Sequence, residues 1–215
     1  AAGRQVRVGF NHRFHPALLA AKKIVTEDRY GSLVYVRGRY GHGGRRGYER
    51  EWRAQKSISG GGELVDQGIH LIDLTRYLVG DVDLAFCELR TDFWDMAVED
   101  NAYLALRPRA GGFAWLHASW TEWKNLFSLE IAFRRAKLEI TGLGASYGTE
   151  RLALYEMQPE MGPPPTTIWE YPGTDSSWSR EMADVLGEIA GQPAQGANLE
   201  DCIAAFTIVE EAYAS

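Results

Sequence analysis

Very little in this sequence is covalently or electrostatically extreme. Only two cysteines occur, Cys87 and Cys202, far apart and each inside an apolar segment. That leaves no disulfide framework and no zinc-type spacing, and it fits a reducing compartment. There is no excess of basic charge: the net charge is −6, which argues against a nucleic-acid footprint. No run of about 18 apolar residues exists, so no segment is expected to span a membrane. The first residues lack the charged-then-apolar pattern of a secretion signal, and a cytoplasmic enzyme is the expectation. No G-x-G-x-x-G follows a strand. Gly41-x-Gly43 lacks the third glycine in register, and Gly142-x-Gly144 lacks both it and a following helix.

What is present is ordinary globular composition, 45% hydrophobic and 24% charged over 215 residues. A chain of this length buries roughly 70% of its unfolded surface and needs no staple. Gln5 to Phe10 reads as a strand-like run with nothing before it, as though cut from the middle of something longer. Ala17 to Asp28 has helical spacing behind Pro16, which suits a first turn. Ser32 to Tyr40 alternates like a strand, and a glycine-rich basic loop, Gly41 to Gly47, follows it. Glu63 to Val79 then reads as a helix.

From Val82 onward the texture becomes strands: Val82 to Leu89, Asn101 to Leu106, Gly112 to Trp123, Phe127 to Phe133, Lys137 to Ile140, Arg151 to Tyr155 and Thr167 to Tyr171. Connections this short leave no room for crossover helices, so the pairing is expected to be mostly antiparallel. Ser179 to Ala190, capped by Ser177 or Ser179, and Leu199 to Tyr213 read as closing helices. The fold class is α+β, a large, mostly antiparallel open sheet with helices on one face. In Gly112 to Trp123, apolar residues on both faces suggest a second subunit over the open side.

The chemistry concentrates on one helix. Asp66, His70, Asp73 and Tyr77 stand at i, i+4, i+7 and i+11, within about 60° of one another. Leu64, Val65, Ile69, Leu71, Ile72, Leu74 and Leu78 flank them. A buried carboxylate without a partner costs several kcal/mol, so the polar stripe either lines a wet cavity or satisfies itself. Asp66 and His70 are one turn apart, close enough to hydrogen-bond, and a carboxylate beside an imidazole raises its basicity toward that of a general base. Gly60, Gly61 and Gly62 would let another molecule approach the helix start closely. A purely structural Asp66–His70 pair stays open at this point. Metal ligation by Asp66, His70 and Asp73 is disfavoured because one helix cannot close a coordination sphere, and no metal is expected.

Gly60-Gly61-Gly62-x-x-x-Asp66-x-Gly68-x-His70-x-x-Asp73-Leu74, followed by Tyr77-Leu78-x-Gly80, resembles the signature of the glucose–fructose oxidoreductase / inositol dehydrogenase / rhizopine-catabolism (Gfo/Idh/MocA) family. Val8-Gly9-Phe10-Asn11-x-Arg13-Phe14-x-Pro16 is similar to the segment linking that family's two domains. The resemblance implies that residues 1–215 are the C-terminal substrate-binding and oligomerisation domain of a longer two-domain protein, whose N-terminal Rossmann domain, holding NAD or NADP and a lysine, is not in this chain. It further implies that His70 moves the proton of a sugar or polyol hydroxyl, assisted by Asp66, while hydride passes to the nicotinamide. These residues alone are then expected to be inactive. The alternative is a non-catalytic dimerisation or binding module in which Asp66 and His70 only brace the fold.

Other residues fit around this scheme. Trp52 and Arg53 are candidates to wall the sugar pocket, against a core role for Trp52. Arg45 and Arg46 sit in a loop that could meet a phosphate or carboxylate, or simply be solvated. Arg13, beside Asn11, is expected to hold the interdomain turn through carbonyls, and is kept with Arg39 among the substrate-binding candidates. His12 and His15 read as surface groups. The partners expected are a small sugar or polyol and further copies of the chain, with no nucleic acid and no membrane.

Overall fold

The computed structural model describes residues 6–215. Its elements, in order, are helix α1 (Pro16–Thr26), strand β1 (Leu33–Gly41), the one-turn helix α2 (Lys56–Ser59), helix α3 (Ile69–Val79) with a π turn (Leu64–Gly68) leading into it, strands β2 (Val82–Arg90), β3 (Asn101–Pro108), β4 (Phe113–Ser119), β5 (Leu126–Phe133), β6 (Ala136–Thr141), β7 (Glu150–Glu156) and β8 (Thr166–Tyr171), then helices α4 (Ser177–Ile189) and α5 (Leu199–Ala214). The eight strands form one sheet in the order β2-β3-β4-β1-β5-β6-β7-β8. Every pairing is antiparallel except β1 with β4, so the α+β expectation holds. That parallel pair obeys the usual rule: the chain returns to β4 only after α3 and two further strands, a connection long enough to reverse direction.

The strand patterns explain the layering. In β1, Val36, Gly38 and Tyr40 face inward while Arg37 and Arg39 face out. Leu116 and Ala118 of β4 and Leu129 and Ile131 of β5 continue the same inner surface, against Leu71, Ile72, Leu74 and Leu78 of α3. Gly38 permits the closest approach. A Cβ there would lie 3.0–3.2 Å from methyls of Leu116, Leu129 and Leu71, so α3 sits low over the centre of the sheet. This fixes the height of the helix that carries Asp66 and His70.

Three local expectations change. Residues 6–10 of the expected first strand join no sheet, Val8 N donating instead to Ala197 O at 3.4 Å, and Gln5 lies outside the described residues. The strand expected to run to Trp123 ends at Ser119; Trp120 turns fully inward, and Trp123 takes a left-handed φ of 60° with its ring exposed. The cap of α4 is Ser176 rather than Ser177 or Ser179, and the Asp175 carboxylate accepts from Ser177 N at 2.8 Å. Among the described residues no helix is long and apolar enough to cross a membrane.

Candidate functional site

The three glycines serve the chain's own packing. Gly60 adopts φ +82°, a left-handed turn. A Cβ on Gly61 would collide with the Tyr213 hydroxyl, and one on Gly62 with the main-chain oxygen of Glu99. The space expected for an approaching molecule is therefore filled by Tyr213 of α5 and the segment around Glu99. Glu99 Oε1 accepts from Gly62 N and Leu64 N, both at 3.0 Å, and from the Tyr213 hydroxyl at 2.7 Å. This carboxylate satisfies main-chain donors at the entry to the helix that a capping side chain would otherwise take.

The expected helix is two pieces. Leu64–Gly68 winds as a π turn before the α-helix begins at Ile69. Such wide turns are rare and recur at functional sites. Asp66 lies in the wide turn and His70 in the first turn of α3, and both line one cavity of about 490 Å³. They do not hydrogen-bond to each other. Asp66 Oδ2 instead accepts from Arg53 Nε at 3.2 Å.

The lower half of the stripe turns away from the cavity. Asp73 is enclosed and accepts from Arg13 Nε at 2.9 Å and from its terminal nitrogen at 2.5 Å. Arg13 also reaches Asp201 at 3.1 Å, and Asp201 forms the capping box of α5 with Asn198. Arg13 thus holds α3 and α5 together by ion pairs, where carbonyl contacts at a turn were expected. Its guanidinium lies 5.0 Å above the Tyr77 ring.

His70 stacks on His12 with ring centroids 4.1 Å apart, and Phe10 meets its edge at 5.7 Å. Its Nδ1 is enclosed without a hydrogen-bond partner, which leaves Nε2 as the nitrogen toward the cavity. Burial pushes its pKa down to about 4, so the imidazole is neutral and no carboxylate raises its basicity. His12 and His15 are buried rather than superficial. Burial, then the neighbouring His70 and His15, pushes His12 well down; His15 Nδ1 stands 3.0 Å from Glu150. The turn Asn11–Phe14 folds over the sheet, and Asn11 Nδ2 donates to Ser177 Oγ at 2.8 Å.

The rim comes from the glycine-rich loop and the short helical turns after it. Arg45 pairs with Glu51 at 2.8 Å, and both line the cavity with Arg53, His42 and Tyr48. His42 Nδ1 accepts from Gly44 N at 2.9 Å. Trp52 is 51% exposed and stacks under the Arg53 guanidinium at 4.5 Å, in an adjoining hollow that Asp66 also borders. Trp52 is thus not a core residue. Arg39 projects from the opposite face of the sheet, and Arg46 is exposed away from the cavity.

Asn11, His12, Glu51, Gln67 and Trp178 also line the cavity. Asn11, His12 and Trp178 come from segments remote in sequence from Asp66 and His70, whereas Gln67 adjoins Asp66 and Glu51 stands two residues before Arg53. A larger cavity, about 1,000 Å³, lies at the other end of the sheet between Tyr35, Phe133 and the proline-rich segment Gln158 to Pro164. It contains no histidine and is distant from this chemistry. Among the described residues no group of three or more histidine, cysteine or acidic side chains is placed to hold a metal ion.

Beneath the site, Glu63 is fully buried and neither oxygen makes a hydrogen bond of good geometry. Burial pushes its carboxyl well above the usual range, and the charges of Asp66 and Glu99 add to this; the nearby Trp120 indole and Ser119 main chain offset it only in part. A raised carboxyl pKa contributes stability below the unfolded-state value, and that contribution is lost as pH rises through the folded-state value. The melting temperature of Glu63→Gln, relative to the unaltered chain, should therefore increase from about pH 4 to about pH 8. Parallel melting curves across that range would show the assignment wrong.

Comparison with known proteins agrees with this architecture. The family described as "GFO/IDH/MocA C-terminal domain" matches residues 18–142. Levoglucosan dehydrogenase of Pseudarthrobacter phenanthrenivorans is 36% identical over 107 residues, a stretch covering 49% of this chain and 27% of that protein. A solved levoglucosan dehydrogenase in complex with NADH and levoglucosan superposes with a TM-score of 0.82 at 23% identity, covering 97% of this chain and 64% of the other. Aldose-aldose oxidoreductase from Caulobacter crescentus, complexed with glycerol, gives 0.79 at 22% identity, covering 99% and 62%. The chain therefore spans less than two thirds of these relatives, and at such identities the superpositions speak to the fold.

Proposed function

This chain belongs to the GFO/IDH/MocA family, and from that premise we propose that its polar cavity is the substrate site of an NAD(P)-dependent oxidoreductase acting on a sugar or polyol hydroxyl. The observation that carries the reading is the meeting of Asp66 and His70 on one cavity, ringed by donors and acceptors, although they do not touch. His70 Nε2, neutral at physiological pH, takes the proton as the hydroxyl becomes a ketone or lactone. Asp66, held by Arg53, accepts a hydrogen bond from a neighbouring hydroxyl and so orients the ring.

Nothing among the described residues fits a dinucleotide. The one parallel strand pair lacks the nucleotide-binding arrangement: β1 runs into a glycine-rich loop and short 3-10 turns rather than directly into a long helix, and its parallel partner β4 follows only after two further strands. The hydride acceptor, NAD or NADP, therefore belongs to a separate nucleotide-binding domain. The decisive assay is turnover of a panel of sugars and polyols by the chain joined to that domain. Oxidation with reduction of the dinucleotide is expected there, and none from these 215 residues alone. Turnover by the short chain would overturn this division of labour.

A second reading, a non-catalytic binding module, is favoured by the Arg53–Asp66 ion pair and the His12–His70 stack, both of which brace the fold. It is separated from the first by replacing His70. For oligomerisation, Phe86 on β2 and Phe113 and Trp115 on β4, the strands on either side of β3, stand 50%, 44% and 41% exposed on the uncovered sheet face. A second copy covers them in this proposal, and sedimentation showing a monomer at high micromolar concentration would remove it. Cys87 and Cys202 are both free thiols, which supports a reducing, cytoplasmic setting.

A further inference from the structure

The charged groups around the cavity balance. Arg45 and Arg53 face it, and so do Glu51 and Asp66, with each guanidinium already paired to one of those carboxylates at 2.8 and 3.2 Å. The remaining titratable neighbours do not alter the sum. His12, His42 and His70 are all pushed toward neutrality by burial, and Tyr40 and Tyr48 are pushed upward by the same cause, so they stay protonated. Of the other cations considered for substrate, Arg39 lies across the sheet, Arg46 is exposed away from the cavity, and Arg13 is committed to Asp73 and Asp201.

We infer that this cavity selects an uncharged polyhydroxylated substrate and discriminates against sugar phosphates and sugar acids, because every guanidinium facing it has a carboxylate partner facing it too. The inference rests on the oxidoreductase reading above and narrows its substrate class.

The argument depends on charge count rather than on the strength of either pair. Arg45 is largely exposed, and an exposed pair with Glu51 is held weakly. An incoming anion could draw Arg45 away, yet Glu51 would remain beside it, so the pair together with the anion carries a net negative charge and one carboxylate is left unpaired. Using Arg53 would strip Asp66 in the same way. A hydroxyl faces no such conflict, since it both donates and accepts. Two adjacent hydroxyls can bridge a guanidinium and its carboxylate without separating them. The cavity volume of about 490 Å³ falls inside the usual range for small-molecule sites, so size alone does not exclude a phosphorylated sugar. Charge does.

The test compares kcat/KM, for the chain joined to its nucleotide-binding domain, between neutral compounds (glucose, inositol, levoglucosan) and matched anions (glucose 6-phosphate, gluconate). Neutral compounds are expected to be preferred by about 100-fold or more. Anions used as well or better would overturn this inference while leaving the oxidoreductase reading standing. No turnover of any compound would remove that reading, and this one with it. Glu51→Gln gives the cavity a positive charge to spare, and should raise the anion-to-neutral ratio about tenfold. Glu51→Asp, which keeps the charge, should leave the ratio where it was. An unchanged ratio in Glu51→Gln, in a variant that melts normally, counts against the proposal.

Discussion

Replacing His70 by glutamine, in the chain joined to its nucleotide-binding domain, is expected to lower kcat by about 10²- to 10⁴-fold, the usual worth of a positioned general base. The melting temperature should change little. Glutamine is polar and of similar bulk, and the Nδ1 it replaces makes no hydrogen bond in the folded chain. The pH profile adds a check independent of the mutation. A base must be unprotonated to act, and burial has moved the His70 pKa from its usual 6.5 down to about 4. Activity governed by this group should therefore be flat through neutrality and fall only as the pH drops toward 4. If His70→Gln instead melts early while turning over normally, the imidazole is a brace and the catalytic assignment fails.

The second large effect concerns stability rather than chemistry. Arg13→Ala leaves Asp73 enclosed with its carboxylate unpaired, and breaking a buried pair from one side costs about 3–5 kcal/mol. For a chain of this size that corresponds to a fall in melting temperature on the order of 10 °C. The isolated charge causes the loss, so removing both partners should do less harm than removing one. The double variant Arg13→Met with Asp73→Leu is expected to recover most of the loss in a denaturant titration. A single substitution as mild as the double would show that the pair contributes little.

The periodic features of this fold were readable residue by residue. Alternation marked the strands after Val82, and their short spacings implied antiparallel pairing, which six of the seven pairings follow. The parallel β1–β4 pair was not legible, because its partners meet only after a helix and two strands have intervened. His12 and His15 were misplaced for a similar reason: a local window cannot see that Asn11–Phe14 folds over the sheet against α3 and α4. The i, i+4 spacing of Asp66 and His70 did predict a shared face. It could not predict that Arg53 would claim the carboxylate, nor that Arg13, 60 residues from Asp73, would claim the other. Ideal helical geometry was the assumption that failed, since Leu64–Gly68 winds wider than an α-helix.

That wide segment acts as a phase shifter between two reading frames. Upstream of it and at its first residue, Gly61, Gly62 and Leu64 are keyed to Tyr213 and Glu99; downstream, Leu71 and Leu74 are keyed to the sheet. The surplus residue takes up the angular mismatch between these two anchors. Losing or gaining one amino acid there would spin Asp66 by about 100° relative to His70 and take the two off a shared face.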